Sequence, residues 1–487
     1  MMNNKTENST VVFWLVIIAS GILLAVSYLL LPPVCFFILV ALLLSSFFYI
    51  KPNWGACCLI LVIPVIANEI GFIHKDFAWA RNQIFPIYFL VMAANVFFMF
   101  IRKTVHNQKI FNNTQVPLLY LILVFGTYAS LSFMLAPNTT FSFMLTVLLL
   151  ANIALYFYLL AILQDAETHK FIMKAFAISG LVVGLMTTYS IIAHPEYSLY
   201  QDIWNKLQFT ILWNPRVRLR GFALAQPNFT SMALNLSIFI TAGLVLSSTR
   251  VLTKCLGVLV LVFLLFAQCL TASKGGLGAL LMASYCIILL NSSLRRWFFI
   301  AIPMATIILL AVFFISTAFM SLYGTAFHSD LTGGDKDFVS MSSRLIMWKT
   351  GFGALADETL GFLTGLGIGG FTYGYKILWP HNLTFSFYFD FGIVGLIFLG
   401  GIIFYLSREL LLLKSVIKLQ QSYIDHMLIA LVCGFIAVMI HSLVDFHYNQ
   451  TTLWTYLALL LATLQIAKAE YKRKSVVQNE ENDPDDS

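Results

Sequence analysis

Charge is what this sequence has least of. Only 10% of its 487 residues are Asp, Glu, Lys or Arg, against about a quarter in soluble domains, so a water-facing globular surface cannot be built over the whole chain. No Walker A sequence occurs, and nothing points to ATP chemistry. The glycine run "GLGIGG", with Gly365, Gly367, Gly369 and Gly370, does not follow a strand and open a helix, so a dinucleotide-binding turn is excluded and tight backbone packing near the membrane is expected. The seven cysteines, Cys35, Cys57, Cys58, Cys255, Cys269, Cys286 and Cys433, all sit in apolar runs without the spacing of a disulfide framework or a zinc site. Carboxylates are missing from the first outer connection, "LLLPPV".

What replaces charge is apolar length. Hydrophobic residues make up 60% of the chain, and runs of about 20 residues, each long enough to cross a hydrocarbon core of ~30 Å, recur near 11–30, 33–50, 54–73, 84–101, 116–136, 140–163, 171–193, 229–247, 255–270, 276–291, 297–316, 389–406, 425–440 and 452–467. The reading is all-α: one polytopic transmembrane helical bundle over 1–470, of about 12–14 spans, followed by a cytoplasmic acidic tail at 471–487 that ends "NEENDPDDS". The first run lacks a small-residue cleavage site and reads as a signal anchor. Most of the 29 lysines and arginines fall on alternate connections, such as "STRVLTK" and "SSLRRW", which places both termini in the cytoplasm. The net charge of +7 is thus accounted for by topology, with no nucleic-acid partner.

Two outer loops are long, 194–228 and 317–388, and long loops on rigid scaffolds tend to carry function. The first contains "NPRVRLRGFALAQPN". In an extended strand Arg216, Arg218 and Arg220 share one face, on the side where the charge rule disfavours cations; they suit either lipid head groups or an anion site. "LTASKGG" brings Lys274 to the boundary between two spans, where a lysine can snorkel or join a site. In "MSSRLIMWKTGFGALADE", Ser342 or Ser343 is a candidate helix cap, and Leu345, Trp348, Phe352 and Leu355 form the stripe of a short amphipathic helix on the outer surface. Arg344 begins that helix, an arrangement suited to anions or to lipid phosphate. Asp335 and Asp337 of "GGDKDF" are a pair common in polar loops, and no metal ligand is assigned.

"PHNLTFSFYFDFGIVG", residues 380–395, then sets His381 and Asn382 before an apolar run that starts near Phe387 and carries Asp390 in its first turn. Histidine titrates near neutrality, so it can take a proton from a hydroxyl, and Arg220, Lys274 and Arg344 reach the same side. Near the end, "MIHSLVDFHYNQTT" spaces His441 and Asp445 four apart, on one helical face, where they either form part of a site or close the helix end. Cations around a candidate base, with no nucleotide motif, fit a donor already activated on a membrane lipid. A polyprenyl diphosphate sugar releases a stable anion, so the protein need only hold that charge, orient an acceptor hydroxyl and accept its proton.

"RLRGFALAQPN", "LTASKGG", "SSRLIMW", "GLGIGGF", "PHN" before "FDFGIVGL", and "HSLVDF" occur in this order, and the set resembles the O-antigen ligase and polymerase superfamily over about residues 205–460. The resemblance implies a GT-C-like membrane glycosyltransferase of the bacterial inner membrane that acts on the periplasmic face without metal or cofactor. The family's essential arginines match Arg220 and Arg344 and its loop histidine matches His381, which implies catalytic roles for these three; Lys274, Arg216, Arg218, Asn382, His441 and Asp445 are the substrate-binding candidates read from the outer-face residues. The implied partners are a polyprenyl diphosphate-linked glycan, the lipid A core or another hydroxyl acceptor, and membrane lipids. Lys274 departs from the arginine common in the family, keeping the charge and losing the bidentate fork. "HSLVDF" is common among polymerase-like and exopolysaccharide members.

The expected activity is transfer to the lipid A core, with polymerisation of a lipid-linked repeat or transfer to a protein hydroxyl as alternatives. A flippase would line a mid-membrane route with ionisable groups, and here Glu69 is the nearest exception to nearly uncharged spans. A metal-dependent oligosaccharyltransferase is disfavoured by the carboxylate-free first outer loop.

Overall fold

The computed structural model describes residues 51–66, part of 92–105, 116–193, 227–271, 273–290, 341–374, 380–414, 422–443 and 448–482. Among these residues there is no strand. The helices are α1 (Pro52–Ile66), α2 (Leu119–Ser132), α3 (Thr139–Ile162), α4 (Ala166–Ala193), α5 (Pro227–Ser247), α6 (Val251–Leu270), α7 (Lys274–Leu290), α8 (Met341–Asp357), the short α9 (Gly361–Thr364) and α10 (Gly370–Gly374), then α11 (Leu383–Lys414), α12 (Tyr423–Ser442) and α13 (Thr451–Asn482). Hydrocarbon offers no partner to backbone amides, so segments this apolar satisfy them internally as helices.

Seven of these helices, α3, α4, α5, α6, α11, α12 and α13, are long and apolar enough to cross a membrane, which makes the chain an all-α, multi-pass membrane protein. The apolar runs at 11–30, 33–50 and 297–316 lie outside the described residues. α5 packs against α4, α6 and α12, with α7 against α12; α13 lies on α3 and α12, and α11 on α2. Helices approach closely where side chains are small: a Cβ added at Gly180 would collide with Ser237, and one at Gly434 with Tyr456. α6 turns Leu256, Leu259, Val262 and Phe266 outward, a surface suited to lipid. Around α11, Phe125 and Phe398 stack at 3.9 Å between ring centroids.

The up-and-down course gives the bundle two polar ends. At one, Asn53 of α1 meets Thr168 of α4, Lys103 donates to the Ala161 carbonyl at 3.1 Å, Lys170 lies over the Tyr423 ring, and Lys468 pairs with buried Glu409. These are the segments assigned to the inner side from the charge pattern. α5, α7, α11 and α13 start at the opposite end, the one that the charge pattern assigns to the outer side.

Three expectations for the outer end need correction. α11 begins at Leu383, ahead of Phe387, so Asp390 lies beyond the first turn, two residues before a break at Gly392 (φ 59°, ψ −146°). α8 begins at Met341, so Ser342 and Ser343 are within it rather than before it. Of the expected stripe, Leu355 is buried and Trp348 and Phe352 pack their rings against Phe385 of α11, whereas Leu345 is exposed and Met347 and Ala354 complete the buried face. α12 ends at Ser442; the expected pairing of His441 with Asp445 falls on Asp445, which lies outside the described residues.

Candidate functional site

The start of α7 is built around Ser273. Its hydroxyl donates to Asn228 Oδ1 at 2.8 Å, accepts from the Gly276 amide at 3.1 Å, and meets His441 Nε2 at 3.5 Å. The amide bond makes Ser273 the cap of α7, satisfying a backbone donor the helix cannot. The other two contacts join three distant stretches of sequence: Pro227 and Asn228 at the start of α5, Ser273 at the start of α7, and His441 at the end of α12. Asn235, two turns along α5, adds a bond to the Gly276 carbonyl at 2.9 Å, and Gly276 admits it because a Cβ there would overlap Ser231.

Asn382 repeats this pattern at α11. Its Oδ1 accepts from the Phe385 amide at 3.1 Å and caps the helix, while its Nδ2 donates to the Leu443 carbonyl just past α12 at 3.0 Å. The residue before it, His381, has φ 51°, a left-handed conformation that histidine adopts more readily than most side chains. His381 and Asn382 are both buried. Trp348 of α8 donates from its indole to the Pro380 carbonyl at 2.8 Å, which docks α8 on the turn that carries His381. Arg344 lies one helical turn earlier on α8.

Behind this turn the glycine-rich stretch packs into the break in α11. Gly365, Gly367 and Gly369 all have positive φ, and a Cβ at Gly365 would strike the Asp390 carbonyl group. The Leu366 amide donates to the Phe389 carbonyl at 2.8 Å, using an acceptor that the break at Gly392 takes out of the helix. Asp390 accepts from the Gly369 amide at 3.0 Å, from the Phe371 amide at 3.3 Å and from the Tyr448 hydroxyl at 2.6 Å. Burial first, and the adjacent carboxylate second, hold the Tyr448 phenol well above its ordinary range, so it remains a donor.

The fold therefore brings His381, Asn382 and His441 to one end of the bundle, together with the first residues of α5 and α7. Arg216, Arg218 and Arg220 lie outside the described residues, as do Asp335 and Asp337; Lys274 and Arg344 are placed by their helices, and their side chains are not among those described. The starts of α5, α7 and α11 present helix N-termini at this end, which favour anions. The sequence reading missed Ser273 and Asn228 as joints of the site, although each stands inside a motif it had singled out. It also missed Tyr448, for which two residues far apart in sequence must be known to touch.

Residues 259–400 match a family model described as O-antigen ligase. The matched segment contains Lys274, Arg344, His381 and Asn382, and it supports membership of the O-antigen ligase superfamily and an enzyme of the ligase or polymerase type. No curated protein matches the chain significantly.

Proposed function

Starting from the match of residues 259–400 to the O-antigen ligase family, we propose that this protein transfers a glycan from a polyprenyl diphosphate carrier to a hydroxyl of the lipid A core at the periplasmic face of the bacterial inner membrane. The observation that carries the reading is the meeting of residues from the "QPN", "SKG", "PHN" and "HSLV" motifs at one end of the bundle through Asn228, Ser273, Asn382, His441 and Leu443. The opposite end holds the segments rich in Lys and Arg, which the charge rule assigns to the cytoplasm.

In the proposed reaction the acceptor oxygen attacks the anomeric carbon while the bond from that carbon to the diphosphate breaks. The electron pair leaves with the diphosphate. The acceptor proton passes to His381, whose buried, capped turn gives it a fixed position, the condition for general-base work. Arg220 and Arg344 hold the diphosphate, a role that asks for preorganised cations where negative charge grows. Lys274 adds a charge at the start of α7, and Arg216, Arg218 and Asp445 complete the set of substrate contacts. Because the leaving group is already a stable anion, no metal ion is required by the chemistry.

Arg344→Ala should remove transfer while the protein still inserts and folds; full transfer in that variant would contradict the diphosphate clamp. Deleting the gene and sizing glycans distinguishes the acceptors. Long chains stranded on the carrier signify a ligase, single repeats on carrier and lipopolysaccharide signify a polymerase, and unchanged glycans direct attention to protein glycosylation.

A further inference from the structure

The break in α11 turns its first nine residues, Leu383 to Phe391, into a separate short helix with His381 at its head. Asp390 stands at the other end of that short helix. A carboxylate there opposes the helix dipole, whose negative pole is the C-terminus, and it is buried, so neither local helix stability nor solvation explains its presence. Its contacts do. The oxygens take the Gly369 and Phe371 amides from the glycine-rich stretch and the Tyr448 hydroxyl from the segment that leads into α13. The same short helix is tied at its front by Asn382 to Leu443. Leu443, just past α12, and Tyr448, shortly before α13, are thus both fastened to the short helix that follows His381.

Resting on the reading of His381 as the base, we propose that Asp390 and Tyr448 are positioning residues of the transfer reaction: their hydrogen bond locks the short His381-bearing helix to the entrance of α13 and so sets where the imidazole meets the acceptor hydroxyl. Asp390 touches no substrate in this scheme. It acts through Tyr448, through the two loop amides, and through the helix it terminates. A misplacement of about 1 Å in a reacting group costs on the order of a hundredfold in rate, so a tie of this kind affects turnover more than binding.

The test uses full-length protein in detergent or vesicles, with carrier-linked glycan extracted from cells lacking the gene as donor probe. Tyr448→Phe removes one oxygen and keeps the ring between Phe387 and Phe391; Asp390→Asn keeps the shape and replaces one acceptor with a donor. Each should lower kcat by about tenfold or more and leave KM for the donor nearly unchanged. The double variant should be no worse than the poorer single one, because the two side chains act as one unit. Labelling of His381 by diethyl pyrocarbonate, followed by peptide mass spectrometry, reads the imidazole's environment without reference to turnover. It should differ from wild type in Tyr448→Phe, with the melting temperature preserved.

Wild-type kcat and labelling in Tyr448→Phe would overturn the proposal, and so would a loss of activity that merely follows a loss of thermal stability. If His381→Ala keeps full transfer, the base assignment is at fault instead. The labelling result then still reports whether Asp390 and Tyr448 fix that turn.

Discussion

At the inner end of the bundle, His169 is buried with both ring nitrogens engaged, Nδ1 with the Tyr423 hydroxyl at 2.9 Å and Nε2 with Thr463 at 2.7 Å, while at the outer end His381 sits on a left-handed turn between a docked helix and a helix cap. With the Thr463 hydroxyl hydrogen on the Leu459 carbonyl at 2.7 Å, a neutral imidazole donates from Nε2 to Thr463 and accepts at Nδ1 from Tyr423. Every partner is a side chain of a regular helix, and neighbouring polar groups are likewise closed: Ser422 and Asp425 form a reciprocal cap on α12, and Tyr471 donates to Asp425. The outer arrangement is made of turns, caps, positive-φ glycines and a helix break. His169 and His381 thus serve their two ends differently: one ties helices together, and the other is held where the chain leaves them.

The sharpest way to break this contrast is to remove each histidine in turn. His381→Ala should reduce transfer by about a hundredfold or more, the usual range for a lost general base, with little change in melting temperature. His169→Ala should leave the Tyr423 and Thr463 hydroxyls short of a partner and cost about 1–3 kcal/mol of stability, with activity falling only as far as folded protein does. Thermal unfolding and transfer assays on the same preparations separate the two; the reverse pattern would exchange the roles assigned to the two ends.

Gly392→Ala probes the break itself. Its φ of 59° with ψ −146° is a region that side chains avoid, and an added Cβ meets the Leu363 carbonyl. A cost of about 1–3 kcal/mol is expected from the conformation alone, together with loss of transfer, because the His381-bearing segment must move. Gly400→Ala, at a helical position in the same α11 with open space around it, should be nearly silent in both measurements.

Ser273→Ala makes the smallest change. Loss of the α7 cap is worth about 0.5–2 kcal/mol, and His441 and Asn228 lose their shared neighbour. Ser273→Thr keeps the hydroxyl and should retain more transfer than Ser273→Ala; equal activity in the two variants would show that the joint between α5, α7 and α12 has no bearing on the site.

The fold class was legible because apolar length and scarce charge admit few alternatives, and the segregation of motifs to one end followed from counting spans between them. Finer features were not. Gly392 looks like one more glycine in an apolar run, and only the approach of Leu363 and Gly365 makes its backbone exceptional. The end of α12 at Ser442 is not marked by any break in the apolar pattern that leads up to it. The amphipathic stripe of α8 was drawn through Leu345 because periodicity identifies a repeat, whereas the buried face depends on where α11 lies. His169 escaped notice because two hydroxyls that satisfy it, Tyr423 and Thr463, are more than 250 residues away along the chain.

The most direct test of the central claim is to size the glycans, on the polyprenyl carrier and on surface lipopolysaccharide, in cells whose only copy is His381→Ala, beside cells carrying wild type. The account predicts that the variant, present in the membrane at normal level, leaves glycan on the carrier and strips it from the surface acceptor. Identical glycan profiles in the two strains would contradict it.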